Sequence, residues 1–100
     1  MTREIKTIED LELFLNQNKI FDLLGVDQVG VFGSFARGEI ANDIDLLLEH
    51  VPNNNQLIDI KDELEKKTGK KIDMVLDQYA NPIILHRAKK DIVYVKKYKE

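Results

Sequence analysis

Two aspartates separated by one residue, Asp43-Ile44-Asp45, open an apolar run, Leu46-Leu47-Leu48. The run reads as a strand, and its apolar centre places it near the middle of a sheet. Residues i and i+2 of a strand project from the same face, roughly 6.5–7 Å apart along the chain. The two carboxylates therefore stand side by side, and like charges on one face repel unless something positive lies between them. Hard cations take oxygen ligands, and Mg²⁺ combines a few carboxylates with waters and substrate phosphates. Two-metal phosphoryl-transfer sites hold their ions roughly 3.5–4 Å apart, a spacing that paired strand aspartates can bridge. Asp73, between Ile72 and Met74 in a third strand candidate, is the natural third ligand. An unpaired carboxylate at such a position is costly. If its strand neighbours the Asp43–Asp45 strand, Asp73 can complete the site and accept a proton from an attacking hydroxyl.

Upstream stands Val31-Phe-Gly-Ser-Phe-Ala-Arg-Gly38. A strand ends, Gly33-Ser34 follows, and a short helical turn begins. Free N–H groups at a helix start attract anions. Gly33 lets the backbone approach a phosphate closely. The Ser34 hydroxyl can add a hydrogen bond, and Arg37 offers either a fixed positive charge or a structural ion pair.

These residues need elements to hold them. Thr7 and Asp10 resemble a capping box, with Asp in place of Glu or Gln, ahead of Ile8, Leu11, Phe14 and Leu15 at helical spacing. A short helix over about 19–24 would end at Gly25. Gln28 to Phe32 reads as the first strand and Asp43 to Glu49 as the second. Pro52 and three asparagines form a loop. A helix over 56–68 presents Leu57, Ile60 and Leu64 on one face, with Gly69 past its end. Lys71 to Asp77 alternates as the third strand, with Ile72, Met74 and Leu76 facing one way. Asn81-Pro82 starts a short helix, and Asp91 to Val95 reads as the last strand. The order predicts an α+β or α/β domain with a small mixed sheet.

Composition is permissive. A chain of 100 residues is one domain at most. There is no cysteine, which excludes disulfides and thiolate sites. A net charge of -3 gives no global pull toward nucleic acid, so a nucleic-acid partner is not expected. The polar start resembles no signal peptide, and no apolar run suits a membrane span. A soluble, cytoplasmic protein is the default expectation. His50, His86 and Asp77 read as surface residues and Glu39 as solvated. The three tyrosines are too scattered for a base-stacking platform.

Taken together, Gly33-Ser34, Asp43-x-Asp45 and Asp73 resemble the signature of the polymerase-β-like nucleotidyltransferase superfamily, in its minimal nucleotidyltransferase branch. The likeness runs across nearly the whole chain, so residues 1–100 are expected to form a single nucleotidyltransferase domain, with about four strands flanked by helices. It implies Mg²⁺-dependent transfer of a nucleoside monophosphate, AMP from ATP, to a hydroxyl acceptor. Asp43, Asp45 and Asp73 would be the catalytic and metal residues, and Gly33, Ser34 and Arg37 would bind the nucleotide. It further implies a partner: such proteins are paired with helical HEPN-class toxins, adenylylate a toxin tyrosine and act as antitoxins. The few residues after the last strand leave no room for an acceptor-binding domain, consistent with an acceptor on a partner. One departure stands out. The spacer Phe35 to Asn42 is eight residues, against about ten in the family pattern, and Asn42 replaces the common Ser. That shortening motivates an alternative, a non-catalytic module of the same fold that neutralises its partner by binding alone.

Overall fold

The computed structural model describes residues 5–49 and 57–99. Its elements, in chain order, are α1 (Ile8–Gln17), α2 (Ile20–Leu24), β1 (Gln28–Phe32), α3 (Gly33–Ala36), β2 (Asp43–Leu48), α4 (Leu57–Thr68), β3 (Lys71–Leu76), a 3₁₀ turn (Asp77–Tyr79), α5 (Pro82–Asp91) and β4 (Val93–Lys96). The sheet order is β3-β2-β1-β4. β1 pairs antiparallel with β2 and β4, whereas β2 and β3 are parallel. Parallel neighbours need a crossover, and α4 provides it. The chain is therefore α+β with a mixed four-stranded sheet, and the Asp43–Asp45 strand is interior, as its apolar run requires.

Local signals act as written in the sequence. The Thr7 hydroxyl accepts from Asp10 N at 3.1 Å and Asp10 Oδ2 accepts from Thr7 N at 3.2 Å, so the shorter acid still closes the capping box. Gly25 ends α2 in the left-handed region (φ 74°). Asn81 Oδ1 accepts from Ile83 N at 2.8 Å and caps α5, with Pro82 in its first turn.

One face of the sheet carries the main core. Val29, Val31, Ile44, Leu46, Leu48, Ile72 and Val95 meet Leu11, Leu15, Phe21, Ile60 and Leu64 from α1, α2 and α4. Met74 and Leu76 pack against this cluster on the same side as Ile72. The opposite face holds Gly30, Leu47 and α5. A β-carbon built on Gly30 would lie 2.5 Å from Ile92 Cδ1 and 3.4 Å from Leu47 Cβ. Gly30 is thus the notch into which Ile92 fits, and that notch sets how closely α5 approaches the sheet.

Four boundaries differ from the sequence reading, one of them the end of β4, which runs to Lys96 and not Val95. β4 starts at Val93 rather than Asp91, because α5 continues through Asp91 and Ile92 is the cap; the insertion of Ile92 over Gly30 ends the helix before the strand begins. β3 stops at Leu76, and Asp77 opens a 3₁₀ turn instead of closing the strand. β2 ends at Leu48 rather than Glu49. His50, the Pro52-asparagine loop and Gln56 lie outside the described residues.

The notch makes a direct prediction. Gly30→Ala should destabilise the fold by about 1–3 kcal/mol through overpacking, read as a lower urea midpoint. An unchanged midpoint would show that Ile92 yields without cost.

Candidate active site

The site is assembled where β1 ends and where β2 and β3 begin. Residues paired across a sheet share a face, and the register sets Phe32 opposite Asp45 and Asp45 opposite Asp73. Asp43 pairs with Lys71, two residues earlier in both strands. Asp43, Asp45 and Asp73 therefore occupy the α5 face of the sheet, away from the main core. Asp43 is exposed at the rim, while Asp45 and Asp73 are half-buried.

Several contacts fix this register. Lys71 N donates to Asn42 O at 3.0 Å, and Lys70 Nζ donates to Ala41 O at 2.8 Å. Ile72 N, the next amide along, donates to Glu65 Oε2 at 2.9 Å. Thr68 Oγ1 accepts from Lys70 N at 3.2 Å. The start of β3 is thus tied both to the end of the spacer and to α4. Sequence reasoning missed Glu65, Lys70 and Asn42 in this role, since each acts across a separation that no local pattern reveals.

The eight-residue spacer closes regularly. Arg37 N donates to Gly33 O at 3.2 Å, Gly38 N to Phe35 O at 3.1 Å, and Glu39 N to Ser34 O at 3.1 Å. Gly38 takes a positive φ of 81° and reverses the chain. With this spacer, Asp45 stands opposite Asp73 in the β2–β3 register.

Gly33 opens α3 at φ 75°. A β-carbon there would fall on Asp45 Oδ2, so glycine is required twice, for its backbone and for the room it leaves a carboxylate. The cap position before it, Phe32, supplies no side-chain acceptor. The first amides of a helix lack intrahelical partners, so this uncapped start lies directly beside the carboxylates. Phe35 is buried in the core and anchors the short helix. The Ser34 side chain is half-buried at this start.

Electrostatics mark Asp45. Burial, then the charges of Asp73 and Asp43, then a hydrogen bond with Asp73 push its carboxyl above the ordinary aspartate range. Among the described residues, no three acidic or histidine side chains are gathered closely enough to enclose a cation as they stand. The donor set nevertheless suits Mg²⁺: it is all oxygen, with two carboxyls opposite each other and a third at the rim, and Mg²⁺ completes its shell with waters and phosphates.

Arg37 turns elsewhere. Its Nε donates to Glu39 Oε2 at 2.6 Å and its Nη1 to Asp91 Oδ2 at 2.8 Å. Of its two alternatives, the ion pair is the one seen. Glu39, expected to be solvated, is its near partner, and Asp91 is a residue the sequence reading did not single out. His86 is exposed on α5, and no helix among the described residues is long and apolar enough to cross a membrane.

The family model described as polymerase beta, nucleotidyltransferase matches residues 9–100. The chain belongs to this nucleotidyltransferase family. Its enzymatic class is accordingly that of a nucleotidyltransferase, and the α+β sheet is the family's fold. The chain is similar to the protein adenylyltransferase MntA of Thermococcus cleftensis, with 32% identity over 95 residues, covering 89% of this chain and 96% of the relative. Among solved structures it resembles a toxin–antitoxin complex with AMP-PNP, with a TM-score of 0.64 at 20% identity, covering 85% of this chain and 76% of that one. It also resembles the complex of a tri-AMPylated Shewanella oneidensis HEPN toxin with its MNT antitoxin, with a TM-score of 0.59 at 18% identity, covering 85% and 72%. At such identities the structural likeness speaks to the fold.

The Asp45 environment yields a pH prediction. An acid whose pKa rises on folding holds its proton more tightly folded than unfolded, so its ionisation subtracts stability as pH rises above the ordinary aspartate range. In EDTA, Asp45→Asn should therefore unfold at higher urea than the parent chain at pH 7. The gap should close as pH falls into the ordinary aspartate range. A variant less stable than the parent at pH 7 would contradict a charge-strained Asp45.

Proposed function

We propose that this chain transfers AMP from ATP, with Mg²⁺, to a tyrosine hydroxyl of a helical HEPN-type partner, and so acts as a cytoplasmic antitoxin. The observation that carries the reading is the pairing of Asp45 with Asp73 across parallel strands, with Gly33 leaving room beside Asp45. Family membership supplies the reaction class. The protein acceptor and the toxin partner come from the names of the relatives: a protein adenylyltransferase in one case, an AMPylated HEPN toxin bound to its antitoxin in another. The nucleotide choice draws on the first of these and on the AMP-PNP complex.

In this reading Asp43, Asp45 and Asp73 hold the metal, which supplies charge neutralisation for the triphosphate and the leaving pyrophosphate. Gly33 and the amides opening α3 receive phosphate oxygens, and the Ser34 hydroxyl donates a further hydrogen bond. The acceptor oxygen attacks the α-phosphorus, the bond to the bridging oxygen breaks, and pyrophosphate departs. Asp73, opposite Asp45 on the same face, would take the hydroxyl proton. Asp43, exposed at the rim, would be the third carboxylate to hold the metal.

Incubation with labelled ATP, Mg²⁺ and the partner tests the proposal. Label should appear on a partner tyrosine. Asp43→Asn combined with Asp45→Asn should lower transfer at least ~100-fold, the loss expected when several kcal/mol of charge stabilisation is removed. Full neutralisation of the toxin by that double variant, or no label transfer by the parent chain, would instead favour the binding-only module.

A further inference from the structure

We infer that Asp91 is a positioning residue, which acts through Arg37 to hold α3 against the carboxylates. Arg37 thereby serves the site as a clamp and does not bind phosphate. This inference rests on the nucleotidyltransferase reading of the site.

α3 has only four residues, too few for its own hydrogen bonds to fix its orientation. Phe35 anchors its middle in the core. Its end is held by Arg37, which reaches 54 residues along the sequence to Asp91 at the close of α5. Asp91 is poorly placed for its own helix. The last turn of a helix carries partial negative charge and favours cations, and Lys89 and Lys90 there obey that rule. An acid as the final helical residue needs an external cation, and Arg37 is that cation.

The position of Asp91 is itself fixed. The next residue, Ile92, fills the Gly30 notch in β1. At the other end of the chain of contacts, Gly33 begins α3 with Asp45 Oδ2 in the space a β-carbon would take. The connection therefore runs from β1 through Ile92, Asp91 and Arg37 to α3, and from Gly33 to Asp45. Any tilt of α3 moves Gly33 relative to the carboxylate it accommodates. Both ion-pair partners are solvent-accessible, at 46% and 33% of side-chain area. Exposed pairs add little to folding stability, so a purely structural pair predicts only a small stability change and no effect on the site.

The test has two arms. Steady-state kinetics of AMP transfer should show Asp91→Ala and Arg37→Ala each raising the KM for ATP roughly 5- to 10-fold, since small misplacements near reacting groups are costly. Turnover should change little, the two substitutions should be non-additive, and Asp91→Glu should restore most of the loss. Amide spectra of the nucleotide-free protein form the second arm: Asp91→Ala should move the resonances of Gly33, Ser34 and Asp45 while the urea midpoint stays near the parent value. An unchanged KM for ATP in Asp91→Ala, or unmoved Gly33 and Asp45 amides, would overturn the inference; because Arg37 also pairs with Glu39, somewhat greater loss from Arg37→Ala is expected. If the parent chain transfers no AMP, the proposed function fails, and the amide arm still decides whether Asp91 positions α3.

Discussion

The structure depends on one constraint: two carboxyls, Asp45 and Asp73, are fixed opposite each other on adjacent parallel strands. Burial and charge repulsion both make this arrangement unfavourable for two ionised groups. Burial first, and then the neighbouring charges of Asp73 and Asp43, raise the Asp45 carboxyl above the ordinary aspartate range. In the proposed function a divalent cation would offset the same repulsion, so what makes the pair unfavourable when empty would make it useful when a metal is bound.

The rest of the fold serves this pairing. β2 must be interior so that Asp45 has a neighbour on each side, with Phe32 on β1 and Asp73 on β3. The parallel relation of β2 and β3 requires the α4 crossover, and Glu65 of α4 then ties Ile72 at the start of β3. The apolar residues alternating with the acids, Ile44 and Ile72, are buried in the main core. They convert hydrophobic burial into precise placement of the carboxylates one residue away. On the acid-bearing face, Ile92 at the end of α5 sits over Gly30, and among the described residues Asp43 is exposed.

Much of this was legible in the sequence because it is local. The period-two alternation in 43–48 and 71–76 put the acids on one face and the apolar residues on the other. Gly33 was legible as a turn residue, although its contact with Asp45 was not, because that contact joins the ends of two strands. The start of β4 was misplaced because Asp91-Ile-Val-Tyr-Val has strand composition throughout, and only the tertiary notch at Gly30 decides that Ile92 closes a helix. Arg37 carried two readings in sequence that composition cannot separate, since a phosphate contact and an ion pair ask for the same side chain. Its partner Asp91 lay hidden for the same reason: a single acid in a charged stretch carries no local signature. The short spacer raises a question about catalysis in sequence; in three dimensions its first half turns through backbone bonds from Arg37, Gly38 and Glu39.

The central claim is that Asp45 and Asp73 form a divalent-cation site that binds the nucleotide together with its metal. Calorimetric titration of a non-hydrolysable ATP analogue into the protein, with Mg²⁺ and then with EDTA, tests it most directly. The account predicts binding that requires Mg²⁺ and that is lost in both Asp45→Asn and Asp73→Asn. Analogue binding of equal strength in EDTA, or undiminished by either substitution, would contradict it.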